Sequence, residues 1–544
     1  MRKAEYGKFL FFFCGIFVCL LFLASCREES PRITSIYPRI GIMGDVLTIR
    51  GSGFGNERNQ SFITIAGTPP TSAAYISWSD EEISVRTPEF GNAGLVYVHR
   101  GRHRSNPALF ANQATMPVLS TAEMNNGPRI TSIEPASGPI GSLITIHGAN
   151  FGSARNNSGV FFSWASELSP AGSSPDGFVE IPETEFGYEL WSDREIRVRV
   201  PSGAVSGNLE VRTIRGSSQP ISFNVTGSPG TKVYRDRRTF ILSYMTDIQI
   251  EQALTPNELF VWMPQPVVSS SQRNVRLLSR NADPFIENFR GTTLYHFIDT
   301  APGDRLEIAL SYAVDVYMVE TNIRNVAAPR LNSPSPVRAA FVHPSPLVPS
   351  NDPAIRAQAA TIIGPEALPF ARAQRIYQWL ISSLEIQNTP LSGGALEALE
   401  DRVADSYQAA LLFCAFARAV NIPAIPVAGV LVDNYNNATR HYWAEFWLDG
   451  FGWVPVDPAL GAGAAPEGFE LRGDHARFYF GNMDNQRIAF SRGERQLDQM
   501  TPRGRTVQRD REFSLQNIWE EATGGLEFYS SLWSDVTITG VFTQ

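Results

Sequence analysis

Apolar and polar residues alternate in short runs, broken by glycine and proline, through most of residues 31–323, a pattern of antiparallel strands rather than helices. One stretch of it occurs twice. Pro31-Arg32-Ile33-Thr34-Ser35-Ile36-Tyr37-Pro38 returns as Pro128-Arg129-Ile130-Thr131-Ser132-Ile133-Glu134-Pro135, and both copies go on to a Thr-Ile-x-Gly-x-x-Phe-Gly segment, 48–55 and 145–152. They agree again at Trp78-Ser79-Asp80 and Trp191-Ser192-Asp193. The repeat predicts two small β-sandwich modules, 31–118 and 128–227. A further β region follows at 232–325, and a proline-rich stretch, 326–353, reads as a linker in which helix is disfavoured. Beyond it the period changes. Residues 354–363 and 369–384 carry apolar residues at helical spacing, and a third helix, 406–420, is apolar on nearly every face with only Arg418 charged, so it belongs in a core. Asn421-Ile422-Pro423 stops that helix. Strands at 426–432, 441–448 and 452–458 follow within a domain ending near 500, and 501–544 remain as a tail of no assigned role.

At 544 residues the chain is too long for one core, and 18% charged residues beside 43% hydrophobic ones exclude a disordered or coiled-coil protein. Its formal charge of −8 offers no general basic field for a phosphate backbone, so no nucleic-acid partner is expected. Proteins, peptides or envelope polymers fit better. The four cysteines are Cys14, Cys19, Cys26 and Cys414. Three lie in an N-terminal segment where Arg2, Lys3 and Lys8 precede an apolar run at 9–23, too short to span a membrane as a helix usually does. Its end, Leu23-Ala24-Ser25-Cys26, resembles the lipobox of bacterial lipoproteins. That resemblance implies a signal peptide over 1–25, lipid on Cys26, a short linker to 30, a membrane-anchored place in the cell envelope on its periplasmic or surface face, and no intramolecular disulfide.

The chemistry is expected in the last large domain. A polar residue opening a buried helix, a histidine on one strand and an aspartate on the next make the set Ser406, His441 and Asp457, the arrangement by which papain-like thiol enzymes assemble a nucleophile, a base and its orienter. The segments around it, 417–424, His441-Tyr442-Trp443-Ala444-Glu445 and Gly452-Trp453-Val454-Pro455-Val456-Asp457-Pro458, resemble the bacterial transglutaminase-like superfamily, with 478–484 and 487–490 resembling its downstream segment and the β region from about 233 its accessory sandwich. The repeated modules resemble the immunoglobulin-like TIG (IPT) family, used as a spacer or adhesive unit. Together these imply a multidomain, β-rich protein: two immunoglobulin-like sandwiches, an accessory β-sandwich, and an α+β transglutaminase-like (papain-like) domain.

His441 and Asp457 match the superfamily's catalytic pair, but its cysteine falls on Ser406, in Ala404-Asp405-Ser406 where Gly-x-Cys is usual. A serine hydroxyl needs full general-base help where a thiol does not. The expectation is therefore a binding or scaffolding pseudoenzyme for peptides or proteins; the alternative is an acyl-transfer or amide-hydrolysing enzyme using Ser406, His441 and Asp457. Cys414, eight residues along the helix and about 12 Å up its axis, is expected to be a buried apolar residue. Trp443 and Trp453 are candidates to line a cleft, packing being the plainer account. Arg100, Arg102, His103 and Arg104 form a basic hairpin that would suit a polyanion or simply be solvated. Metal and cofactor motifs are not visible. The lipobox reading predicts that the protein partitions into detergent and that Cys26→Ser releases it to the aqueous phase, checked by phase separation and mass spectrometry of the Cys26 peptide.

Overall fold

The computed structural model describes residues 30–88, 94–112, 127–155, 158–167, 177–182 and 185–544. Cys26 and the segment before it lie outside these residues. The chain divides into two compact units, Met1–Met116 and Pro117–Gln544.

In the first unit the sheet Arg32–Tyr37, Val46–Ser52, Glu82–Arg86, Tyr75–Trp78 is packed with a second, Ile40–Gly41, Ala108–Asn112, Gly94–Arg100, Phe62–Ile65. Alternation sorts the side chains: Leu47, Ile49, Ile83 and Val85 meet Ile63, Ile65, Val96 and Val98, all fully buried. Full burial of each is worth about 1.5–3 kcal/mol. The repeated motif has a local cause. A Cβ at Gly51 would stand 1.9 Å from the Arg32 carbonyl oxygen, and one at Gly148 would stand 2.1 Å from that of Arg129, so only glycine lets the two strands approach. The tryptophan of each copy donates its indole N–H to the backbone of the Phe-Gly turn, Trp78 to Phe54 O at 3.1 Å and Trp191 to Phe151 O at 3.2 Å. Beside it Asp80 accepts from Gly55 N–H at 2.8 Å and Asp193 from Gly152 N–H at 3.1 Å. The basic hairpin is tied down within its own module: Arg100 donates to Gly53 O at 2.9 Å, and Arg104 lies 4.3 Å from the Tyr97 ring centre.

The second unit starts with the second copy, whose first sheet has the same order, Arg129–Glu134, Leu143–Ala149, Glu195–Arg199, Tyr188–Trp191. This copy shares its core with the C-terminal domain: one apolar cluster runs from Ile140, Ile144 and Val200 through to Trp447 and Trp453. Asn332 bonds both the N–H and the carbonyl of Leu143, at 2.9 and 2.7 Å, and Ser202 Oγ accepts from Trp453 N–H at 3.2 Å. Charges are buried in this joint. Burial lifts Glu185 to about 7 and lowers Lys232 to about 8, with Arg492 and Glu445 nearby.

The next strands form a single eight-stranded sheet around Gly230–Pro264, which pairs on one edge with Arg305–Ile323 and then Thr292–Ile298. Its other edge is covered from the far end of the chain, by Glu520–Trp533 and Thr537–Thr543. Within 501–544, expected as a tail, Arg505–Val507, Glu520–Trp533 and Thr537–Thr543 are thus strands of this sheet; the partner of the last two lies far upstream, beyond any local signal. Within 326–353, expected as a linker in which helix is disfavoured, Pro336–Phe341 is helical: Pro336 sits in the first turn, where a missing N–H costs nothing, and Ser335 Oγ accepts from Arg338 N–H at 3.3 Å.

Pro353–Ile363, Pro369–Ser383, Ala395–Asp401 and Ser406–Ala419 then pack on the sheet Gly452–Val456, Ala438–Leu448, Ala424–Val432, Arg487–Arg492. Ser406–Ala419 is buried from Tyr407 to Arg418. A capping box opens it, Asp405 accepting from Gln408 N–H at 2.9 Å, and Asn421, at φ 64°, ends it. The glycine argument predicts that Gly51→Ala and Gly148→Ala each destabilise their module by about 2–4 kcal/mol. Gly127→Ala, whose Cβ would meet nothing closer than 3.6 Å, should leave the calorimetric transitions in place.

Candidate functional site

Strand alternation decides which side chains meet. Along Ala438–Leu448, Tyr442, Ala444 and Phe446 join the cluster around the Ser406 helix, which sends His441, Trp443 and Glu445 to the other face. Asp457 lies just past Gly452–Val456, where the chain turns into the short helix Pro458–Gly461, and caps it by accepting from Leu460 N–H at 3.0 Å through Oδ1. Its Oδ2 accepts from His441 Nε2 at 2.8 Å and from Arg487 Nη1 at 2.9 Å. A carboxylate only accepts, so Nε2 carries the proton and Nδ1 is the basic nitrogen of the neutral ring.

Asp457 is completely buried and His441 and Arg487 nearly so. Burial alone would raise the Asp457 carboxyl, but His441 and Arg487 beside it outweigh that and hold it at about 2. Arg487 is itself shared, its Nη2 lying 2.6 Å from Asp484 Oδ2, and its guanidinium sits 4.9 Å from the Trp443 ring centre. The result is a linear chain in which the charges of Asp484, Arg487 and Asp457 alternate and the His441 ring caps the end.

Ser406 stands at the first position of its helix and is half-buried. Among the described residues no hydrogen bond joins it to His441 or Asp457. The two regions meet through their neighbours, Tyr407 packing edge-on to Tyr442 with ring centres 5.0 Å apart. Cys414 is fully buried, and burial pushes its thiol up to about 12, so it offers no thiolate. Trp443 and Trp453, considered as cleft residues, are each 3% exposed. Trp443 supports Arg487. Trp453 packs edge-on against Trp447 and Phe341, its carbonyl accepting from Lys232 Nζ at 2.6 Å, so it belongs to the joint with the second module and lines no cleft.

The sequence reading did not single out Arg487, Asp484, Asp405 or Arg511. The first two carry one legible signal, opposite charges three positions apart at the start of an apolar strand. Nothing local marks the pair Asp405 and Arg511, whose side chains bond across more than a hundred positions.

These elements, a buried helix opened by Ser406 and laid on a sheet carrying a His–Asp pair, define the transglutaminase-like class of α+β domain. The transglutaminase-like superfamily profile matches residues 356–458, and the IPT/TIG domain profile matches residues 31–110 and 128–229. The chain thus carries a transglutaminase-like domain and two IPT/TIG domains. Cyclomaltodextrin glucanotransferase from Paenibacillus macerans is 41% identical over 85 residues, 16% of this chain and 12% of that protein. Fibrocystin-L from Homo sapiens is 32% identical over 133 residues, 24% of this chain and 3% of that protein. The chain therefore spans only a small part of the length of these curated relatives. Among solved structures it is similar to a candidate cysteine protease from Cytophaga hutchinsonii (TM-score 0.38, 13% identity, 57% of this chain and 93% of that one). It is also similar to the periplasmic domain of TgpA from Pseudomonas aeruginosa (TM-score 0.24, 16% identity, 41% of this chain and 87% of that one).

Two outcomes follow from the charge chain. Arg487→Ala strands two buried carboxylates and should cost about 3–5 kcal/mol of stability in denaturant unfolding, with Asp484→Asn recovering part of it. Because the folded Asp457 titrates near 2, below an unfolded value of about 3.9, its contribution, on the order of 2 kcal/mol, is complete above about pH 4 and lost as pH falls toward 2. Melting curves from pH 6 to pH 2 should therefore fall less steeply between 4 and 2 in Asp457→Asn than in the wild type.

Proposed function

We propose that this protein is a cell-envelope lipoprotein, anchored through Cys26, whose transglutaminase-like domain binds or scaffolds an envelope peptide or protein without turning it over. The observation that carries the reading is the nucleophile position. Ser406 stands there with no hydrogen bond to a base, while the single cysteine of the domain is sealed in the core with its thiol raised to about 12. The field at that position is also weakened: Asp405 puts a carboxylate on the helix N-terminus, whose partial positive charge would otherwise favour a nucleophile anion or an acyl oxyanion. The IPT/TIG domains suit a spacer that holds the binding domain off the membrane.

A second reading keeps support from one measurement, the 2.8 Å His441–Asp457 bond, which fixes the tautomer of a base; it requires the ring, which lies on the face of its strand away from the Ser406 helix, to turn toward Ser406. Labelling with a serine-directed fluorophosphonate separates the two. The binding role predicts no label at Ser406, no turnover of peptide amides or esters, and a change within about 0.5 kcal/mol in stability for Ser406→Ala. Label at Ser406 that disappears in His441→Ala, together with turnover lost in Ser406→Ala, would establish the enzyme instead.

A further inference from the structure

Residues 509–513 cross the N-terminal end of the Ser406 helix, and one side chain among them grips both neighbours of Ser406. The Arg511 guanidinium bonds the Asp405 carboxylate through Nη1, donates to the Gly393 carbonyl at 2.9 Å through Nη2, and lies 4.6 Å from the centre of the Tyr407 ring. Asp405 and Tyr407 are buried, 4% and 8% exposed, so these three groups form a built slot and not a chance surface contact. A carboxylate, a carbonyl and an aromatic face are the partners that a planar guanidinium takes best.

The backbone records the same grip. Arg511 adopts φ 62°, a left-handed conformation costly to a residue with a side chain, and holds it while its side chain fills the slot. Both flanks of the crossing are fixed. Arg509 lies 3.1 Å from the buried Glu520 carboxylate, and Phe513 is fully buried against Tyr244, Phe490 and Trp519. Between them only 510–512 are left to move, held by Arg511 and by Glu512, whose carbonyl accepts from the Tyr442 hydroxyl at 2.8 Å and whose carboxylate lies 3.0 Å from Arg440.

We infer that the slot of Asp405, Gly393 and Tyr407 beside Ser406 is a recognition site for a cationic, guanidinium-bearing peptide side chain, that Arg511 fills it in cis, and that 510–512 form a strap a ligand must displace to reach Ser406. The inference rests on the proposal that the Ser406 end is the working end of the domain, and it names the class of ligand taken there.

The test reads access to position 406 directly and needs neither turnover nor the natural ligand. In Ser406→Cys, with Cys414 fully buried, alkylation by iodoacetamide is followed at the 406 peptide by mass spectrometry. Adding Arg511→Ala should speed alkylation at least tenfold, against the slowing that loss of a nearby cation would itself impose on a thiolate. N-acetyl-L-argininamide, unlike N-acetyl-L-alaninamide, should then slow it at least threefold by refilling the slot. Asp405→Asn, which keeps an acceptor for the helix cap while removing the charge, should also speed alkylation but gain no protection from the arginine compound, and it serves if the Arg511 variant does not fold. Equal rates within twofold in Ser406→Cys with and without either second change would overturn the strap. Faster alkylation of the Arg511→Ala variant with no selective protection would overturn the slot. Either result leaves the binding role of the domain to be judged by the fluorophosphonate experiment.

Discussion

A carboxylate with no access to water must be shared among donors or lose its charge, and Asp457 meets that requirement with three hydrogen bonds on its two oxygens. One oxygen caps the Pro458–Gly461 helix; the other takes the His441 ring and the Arg487 guanidinium. Four pieces of the domain are thereby fixed to one point: the strand Ala438–Leu448, the end of Gly452–Val456, the start of the Pro458–Gly461 helix, and the start of the edge strand Arg487–Arg492. Arg487 is in turn held by Asp484, so one buried guanidinium is shared between two buried carboxylates. This gives the His–Asp pair a reason to persist whether or not a nucleophile stands opposite it. Removing Asp457 would strand Arg487, and removing His441 would strip one of the two side-chain donors from Asp457. An intact pair is therefore weak evidence for catalysis in this chain, and the state of position 406 is the stronger evidence.

What the sequence made legible follows the range of the interactions. Elements set by neighbours within a few positions were readable: the Ser406 helix from its unbroken apolar face, its end from Asn421, the module strands from alternation and repetition. The His441 and Asp457 positions were readable because both sit in short motifs, and the structure brings them to 2.8 Å. Features that depend on a distant partner were not. Glu520–Trp533 is a strand because Gly230–Pro264 offers it an edge, and Arg511 matters because it reaches Asp405. Trp453 was open between cleft and packing, and its packing against Trp447 and Phe341 follows from a partner that no local signal names. Its neighbour in space is the second module, and an aromatic residue beside a site motif reads as a cleft wall until the surface that buries it is known. The helix at Pro336–Phe341 was hidden by its prolines, which disfavour helix in the residue before them yet are well suited to its first turn.

The two IPT/TIG modules show how one motif serves different surroundings. Their glycine, tryptophan and aspartate positions do the same internal work in both, locking the Phe-Gly turn to the next strand. The difference lies in residues that point outward. At equivalent positions after the first strand, the first module has Met43, 53% exposed, and the second has Ile140, 3% exposed and bridged to Gly450. A handful of such contacts is enough to merge the core of the second module with that of the transglutaminase-like domain, and the buried Glu185 and half-buried Lys232 at the joint make that union sensitive to charge.

The N-terminus of the Ser406 helix carries the same logic to the site itself. An unoccupied helix end offers partial positive charge and free N–H groups, which is what a thiolate or an oxyanion would use. Here Asp405 takes part of both, bonding Gln408 N–H and setting a full negative charge at the terminus, and Arg511 balances that charge from outside. The electrostatics of this end are settled by groups of the chain itself, in favour of a cation. A site so arranged is poorly matched to stabilising a developing anion on a substrate carbonyl and well matched to holding a positively charged side chain. The missing thiol and the occupied helix terminus are independent features, one a residue identity and the other a charge arrangement, and both support the proposed binding role.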